Sequence, residues 1–404
     1  MFERMIDDVK PGVASALSAS LDGQEMSVAD AALLLGAEGA DLHALLWAAD
    51  RARKDDVGDD VTYVVCRNVN FTNVCYVGCS FCGFARHKHQ ADAYDHGMDV
   101  VLEKCADAVA RGATEICMQG GIHPQKNHED YRKAVLAIKQ AFPQLHLHAF
   151  SPEEVDWGHR KSGMTLADYI KWLMDAGVGS LPGTAAEILD DEIRNILSPR
   201  KIKTARWVEI IKTAHSLGLP TTSTVMYGHI ESARHVAAHM GLIRDIQKET
   251  GGFTEFVPLG YIHEMNELYN VLGSRPGASA HEDVRMVAVA RLFMRPYIKN
   301  IQVSWVKMGH KLGQLALGSG ANDFGGTLME ESISRESGSQ FGENTAPEDF
   351  RRLIRDIGRV PVERSTLYEP LHRFEDPAQD PPSLEPVQRE SAPKTATLSI
   401  PIAS

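Results

Sequence analysis

The strongest constraint on this chain is the stretch Arg67–Arg86, RNVNFTNVCYVGCSFCGFAR. It sets Cys75, Cys79 and Cys82 in a C-x-x-x-C-x-x-C run directly after an apolar, β-branched segment. Three thiolates this close can ligate one iron–sulfur cluster and leave a fourth iron open to a small molecule. Structural zinc wants four protein ligands, usually from two C-x-x-C-like knuckles, and no second knuckle exists here. Ordinary ferredoxin spacings supply a fourth cysteine, and none follows. Cysteines of a core would fall at the period of a helix or strand. These stand instead among the turn formers Asn73, Gly78, Ser80 and Gly83. The run therefore reads as a loop built to hold a cluster with one iron free of protein.

What surrounds that loop is an alternation. Apolar, β-branched stretches recur at 61–71, 114–119, 146–150, 179–181, 221–226, 254–259, 300–304 and 322–325, with helical periodicity between them. Strand then helix, about eight times over, predicts an α/β fold: a (β/α)8 TIM-type barrel over residues 61–368. The fourth and eighth strands are short and weakly patterned, so a partial barrel of about six or seven units stays open. In either form the active site belongs at the C-terminal ends of the strands, and the cysteine loop follows the first one. Residues 1–60 read as an N-terminal helical extension, with Ser27 as the N-cap of an apolar run. Residues 369–404, rich in Pro, Ser and acids, read as a disordered tail.

Composition removes several function classes. The formal net charge of -12 argues against nucleic-acid and anionic-membrane partners. Six cysteines, three committed to one motif, make no disulfide framework, and a labile cluster requires a reducing compartment. The N-terminus MFERMIDDVKPG carries acids and no apolar h-region, and no uncharged apolar run approaches a membrane span. A cytoplasmic protein with no membrane partner is expected.

Other strand ends carry polar groups. Gln119-Gly120-Gly121 ends the second strand, where paired glycines allow close approach of a ligand or simply a tight turn. His146 and His148 alternate on one short strand and should both point into the barrel. There they can bond a substrate or move protons, or form a hydrogen-bonded interior pair. Thr184 and Glu187 fit a capping box at a helix start. The hydroxyl-dense strand 221–226 leads to Tyr227 and His229, and the next strand to Tyr261 and His263. Arg275 suits either a carboxylate or the surface. In the last unit Asn322 and Asp323 are site candidates, while Thr327 can cap a helix whose first turn holds Glu330 and Glu331. Cys66, Cys105 and Cys117 look like small core residues.

The cysteine run resembles the signature of the radical S-adenosylmethionine (SAM) enzymes. That resemblance implies a 4Fe-4S cluster on Cys75, Cys79 and Cys82, whose open iron chelates SAM. One electron then cleaves SAM to methionine and a 5′-deoxyadenosyl radical. It also implies that Gly120 and Gly121 hold the amino group of SAM, and that Glu187 can reach a SAM hydroxyl or amino group. Taken together, EICMQGGIHP, HLHAFSPEEV, SLPGTAAEILDDEIR, STVMYGHIES, GGFTEFVPL, SWVKMG and GANDFGGTLMEESISRESG are similar to the second subunit of FO synthase, the CofH type. The resemblance implies L-tyrosine and 5-amino-6-(D-ribitylamino)uracil as substrates. The 4-hydroxybenzyl group would pass to the uracil with release of 2-iminoacetate. A CofG-type radical SAM protein would take the product, and a separate electron donor would reduce the cluster. His148, Tyr227, His263 and Asp323 are the candidates for substrate contact or proton transfer. The segment GYIHEMNELY departs from the family pattern except at His263. The radical SAM enzymes of the futalosine route to menaquinone share the cysteine run and the ANDFGGT-like segment and are the second reading. A non-catalytic iron–sulfur protein is the third.

Overall fold

The computed structural model describes residues 8–384. Its centre is a closed ring of parallel strands. The first stave is a pair of consecutive strands, β1 (Asp60–Val64) and β2 (Cys66–Val69). From β2 the ring runs through β3 (Glu115–Met118), β4 (His146–Ala149) and β5 (Val178–Ser180) by parallel ladders. A single bridge, Leu181 to Thr221, joins β6 (Thr221–Tyr227), which pairs with β7 (Phe253–Gly260). The seventh stave is reduced to bridges at Ile301 and Gln302, and the latter joins β8 (Asp323–Gly326), which pairs back onto β1. Eight staves close the barrel. The weakest is the seventh, whereas the sequence pattern pointed to the fourth and eighth.

The helical extension forms as the sequence predicts and is fixed by local chemistry. Ser27 accepts a hydrogen bond from the Asp30 N–H at 3.1 Å and caps helix Val28–Leu34. Helix Gly39–Val57 buries Leu42, Leu45, Ala48, Ala49 and Ala52, a stripe at helical spacing. It packs on barrel helix Ala280–Met294, so the extension covers the wall of the barrel.

Three local expectations give way to tertiary structure. Thr184 and Glu187 do not open a helix: the helix starts at Asp191, capped by Asp190, and Ala185 and Glu187 take left-handed backbone angles. Thr327 is no N-cap either. Its hydroxyl donates to the Cys66 carbonyl and accepts from the Cys66 N–H, locking β8 to the first stave. Residues 369–384, read as tail, are folded. β9 (Val360–Arg364) runs parallel to β1, β10 (Pro370–Arg373) returns antiparallel to β9, and Asp380 pairs with Arg351 and Arg355. The remainder of the expected tail lies outside the described residues. Among the described residues, no helix is long and apolar enough to cross a membrane.

Candidate active site

A cavity of about 250 Å³ opens at the C-terminal ends of the strands, and loops from all around the ring border it. Cys75, Cys79 and Cys82 lie on its wall. Their loop is held by backbone rather than by the thiols. The Cys75 N–H donates to Arg86 O at 3.0 Å, Tyr76 N–H to Ile122 O at 3.2 Å, and Ser80 N–H to Leu197 O at 2.8 Å. Burial pushes the Cys75 and Cys79 thiols above their ordinary range, and the positive charge of Lys201 opposes it at both. A thiolate here therefore needs a cation, which metal ligation supplies. Among the described residues no three His, Cys, Asp or Glu side chains gather as for a single metal ion.

The glycine turn lies directly on this loop. A Cβ on Gly120 would stand 2.8 Å from the Phe71 ring, and one on Gly121 would stand 2.5 Å from the Val74 carbonyl oxygen. Glycine is thus demanded by close packing, which brings the turn against the cysteine loop. The Gly120 N–H donates to Glu154 Oε1 at 3.0 Å, and the Gly121 N–H to Thr72 O at 2.8 Å. Glu154 is the capping-box residue of helix Pro152–Ser162, bonded to Ser151 as well. Burial lifts its carboxyl to about 7 against the pull of the Ser151 and Gly120 donors. One side chain therefore caps a helix and pins the glycine turn.

Beyond the turn stand two more acids and a lysine. Lys201 Nζ lies 2.6 Å from Glu187 Oε1. Burial works against that ammonium, but Glu187 and then Cys79 hold its pKa above the ordinary value. Glu153 Oε2 accepts the Ile202 N–H at 2.8 Å. Glu153 Oε1 and Glu187 Oε2 are buried and find no hydrogen-bond partner among the described residues. Both residues border the cavity. Glu153, Glu154 and Lys201 were not singled out in the sequence. The S-P-E-E capping-box pattern after the third strand was the available signal for Glu154.

The structure gathers six of the expected site residues, Cys75, Cys79, Cys82, Gly120, Gly121 and Glu187, around one cavity. It places the other four elsewhere. Tyr227 faces outward, because Thr224 and Met226 take the inner positions of the same strand, and its hydroxyl donates to Asp283 Oδ1 at 2.6 Å. His263 sits on an outer loop, its ring edge-on to Tyr269 and 3.6 Å from Glu264, while its neighbours Tyr261 and Ile262 border the cavity. Asp323 is fully buried among Arg364, Thr62 and the Gly325 N–H. Asn322 is likewise structural, accepting from Arg291 at 2.6 Å and from the Ile301 N–H at 2.9 Å. Arg275 meets the protein carboxylates Glu231 and Glu282.

His148 points into the barrel as expected but below the cavity. Its Nδ1 and the Nε2 of His146 each lie 2.7 Å from Ser180 Oγ, the hydrogen-bonded interior pair. Burial pushes His148 down to about 3 and His146 down to about 4. A third imidazole, His239, is pushed down to about 3 in the same way. Such groups bind protons more readily unfolded than folded. Their stabilisation is complete above the ordinary histidine pKa of about 6.5 and is lost as pH falls from there toward the folded values. For His148 and His239 the loss is up to ~1.4 kcal/mol per pH unit each. The urea midpoint should therefore fall between about pH 7.5 and 5.5. A flat profile across that window would show these imidazoles to be hydrated in the fold.

Comparison with known proteins agrees with this geometry. The Radical SAM superfamily description matches residues 69–243, and the CofH/MqnC C-terminal region matches residues 250–376. A relative from Methanothermobacter thermautotrophicus, named 5-amino-6-(D-ribitylamino)uracil–L-tyrosine 4-hydroxyphenyl transferase, is 45% identical over 90% of this chain and 99% of its own. An FO synthase from Mycobacterium tuberculosis is 46% identical over 91% of this chain, which spans 42% of that longer protein. The crystal structure of methylornithine synthase shares the fold at a TM-score of 0.67 and 18% identity, covering 86% of this chain and 97% of that one. A barrel whose first loop carries three thiols thus finds its counterpart along the full length of a curated relative, and the chain belongs to the CofH-type family of radical SAM enzymes.

Proposed function

We propose that the protein is a radical SAM transferase that joins the 4-hydroxybenzyl group of L-tyrosine to 5-amino-6-(D-ribitylamino)uracil, releasing 2-iminoacetate, in deazaflavin (FO) coenzyme synthesis. The observation that carries the reading is the near-complete match to a relative named for those two substrates, together with a single cavity bordered by the three thiols. In this reading Cys75, Cys79 and Cys82 hold a 4Fe-4S cluster. The donor set suits it: three thiols on one wall, two of them with the charge of Lys201 nearby to favour thiolate. When bound, the cluster supplies the electron that cleaves SAM to methionine and a 5′-deoxyadenosyl radical.

The protein's own groups hold SAM and substrates around it. The Gly120–Gly121 turn, whose N–H groups are spent on Glu154 and Thr72, offers its carbonyls to the methionine part of SAM, in a position fixed by Glu154. Glu153 Oε1 and Glu187 Oε2, which accept no hydrogen bond among the described residues although Arg194 Nη1 stands 3.9 Å from the latter, suit an ammonium or hydroxyl of SAM. Lys201 Nζ stands 2.6 Å from the other oxygen of Glu187 and orients that carboxylate. Apolar groups such as Val77, Phe81 and Ile262 complete the wall and exclude water, which protects a radical from quenching. Product passes to a CofG-type radical SAM protein, and an electron donor reduces the cluster.

The test is an anaerobic incubation of cluster-loaded protein with SAM, dithionite, tyrosine and the ribitylaminouracil, followed by mass spectrometry. The expected result is a uracil adduct carrying tyrosine's hydroxybenzyl group, together with 5′-deoxyadenosine. Deoxyadenosine with no adduct would overturn the substrates in favour of the futalosine compounds. Neither product, with the cluster intact, would leave a non-catalytic iron–sulfur protein.

A further inference from the structure

Two lysines border the cavity, and they differ in one respect. Lys201 is paired with Glu187 at 2.6 Å. Lys307 has no carboxylate or carbonyl within hydrogen-bonding distance of its ammonium among the described residues, although it borders the same cavity. The carboxylate whose field reaches it, Glu331, is already engaged: one oxygen accepts from the Asn68 amide and the other from the N–H and hydroxyl of Ser334. Burial lowers the Lys307 pKa, with Glu331 and then Cys82 opposing. A half-buried ammonium with no carboxylate partner is costly, yet this one is firmly placed. It sits in the first turn after the seventh stave. Trp305 Nε1 donates to Gly326 O at 2.9 Å on one side of it, and a left-handed Gly309 packs on Phe341 on the other.

We propose that Lys307 holds the carboxylate of the amino-acid substrate. The inference rests on the functional reading above, in which two α-amino-acid carboxylates enter the cavity, those of tyrosine and of SAM. The Gly120–Gly121 turn and the Glu153–Glu187 pair follow the second, third and fourth staves. Lys307 lies on the other side of the cysteine loop, three staves round the ring from the glycine turn. SAM held on the first side leaves Lys307 to the second amino acid. The ammonium then gains the partner the protein withholds, and one end of tyrosine is fixed while its ring reaches toward the centre of the cavity. Lys307 acts here as a positioning residue.

Lys307→Met removes the charge while keeping chain length and lowering burial cost, so the barrel should fold. Lys307→Arg restores the charge. Cluster-loaded wild type and both variants, with SAM present, are titrated anaerobically with labelled L-tyrosine and with tyramine, which lacks the carboxylate. Tyrosine binding should weaken about 10–100-fold in Lys307→Met, as for a lost charge-assisted hydrogen bond, and recover largely in Lys307→Arg. Tyramine should bind wild type and Lys307→Met alike, and the SAM-induced change in the cluster's EPR signal should keep its midpoint. Unchanged tyrosine binding, an equal loss for tyramine, or a shifted SAM midpoint would each overturn the assignment, the last giving Lys307 to the methionine carboxylate. Wild type that binds no tyrosine would sink the functional reading as well. Wild type that binds it, beside an indifferent variant, sinks this inference alone.

Discussion

Replacing Cys79 by alanine is expected to give a folded barrel that retains no cluster and cleaves no SAM. The two halves of that expectation have separate physical causes. Cys79 is absent from the hydrophobic core, and its loop is held by backbone bonds from Cys75, Tyr76 and Ser80 that the substitution leaves in place. Loss of the thiol should shift stability by only about 0.5–1 kcal/mol. With two thiols in place of three, by contrast, a cluster loses the ligand that feels the charges of both Lys201 and Glu187. Iron and sulfide analysis, deoxyadenosine release and a urea unfolding curve would be measured on the same preparation. Wild-type iron content with normal deoxyadenosine release would overturn the cluster assignment, and a collapsed unfolding midpoint would show the thiol to be structural.

The second large effect is on stability. Asp323→Ala should cost about 3–5 kcal/mol, because it takes from a buried guanidinium the one carboxylate it bonds through two nitrogens and leaves only Glu255 at 3.8 Å. Arg364 bonds Asp323 through Nε and Nη2 in the closed interior of the barrel. Two further acids face the same arginine. Burial raises the carboxyls of Glu115 and Glu255 above their ordinary range while Arg364 opposes it, and Asp323 adds repulsion at both. Tyr368 donates to Glu255, and Gln302 donates to it at 2.8 Å. Removing Asp323 therefore disturbs a whole network rather than one pair. The double variant Asp323→Leu with Arg364→Met should recover part of the loss, since neither member of that pair is then left alone and the buried acids Glu115 and Glu255, already raised by burial, can take up protons. Urea midpoints of the two variants decide the matter. A single variant within about 1 kcal/mol of wild type would show that the arginine finds other partners.

These residues also show where a sequence stops being readable. The cysteine loop, the glycine turn and the places of the barrel's eight staves follow from turn formers and apolar runs, which are local signals. The inner face of β6 carried a usable signal that the choice of candidates went against: Thr224 and Met226 alternate inward, and by the same alternation Tyr227, a candidate for substrate contact, faces the helices instead. Asp323 was not legible, since nothing local distinguishes an acid at a strand end that meets substrate from one that meets Arg364, 41 positions further on. Glu187 reaches the cavity through left-handed angles at Ala185 and at Glu187 itself, and no glycine marks either position. Lys201 and Lys307 lie in loop and helix-start positions where lysine is ordinary. Only the three-dimensional wall of the cavity separates one that is paired from one that is not.

The cysteine loop also meets a segment that comes after the last stave of the barrel. A Cβ on Gly83 would strike the Glu336 carbonyl oxygen at 2.4 Å or the Ser337 backbone, and Arg86 reaches Glu336 at 3.1 Å across 250 positions of sequence. On a ribosome adding about 5–20 residues per second, the thiols emerge roughly 10–50 s before the segment that covers them is made. Nascent chains thus present an open, uncovered cysteine loop to the cell for most of their synthesis.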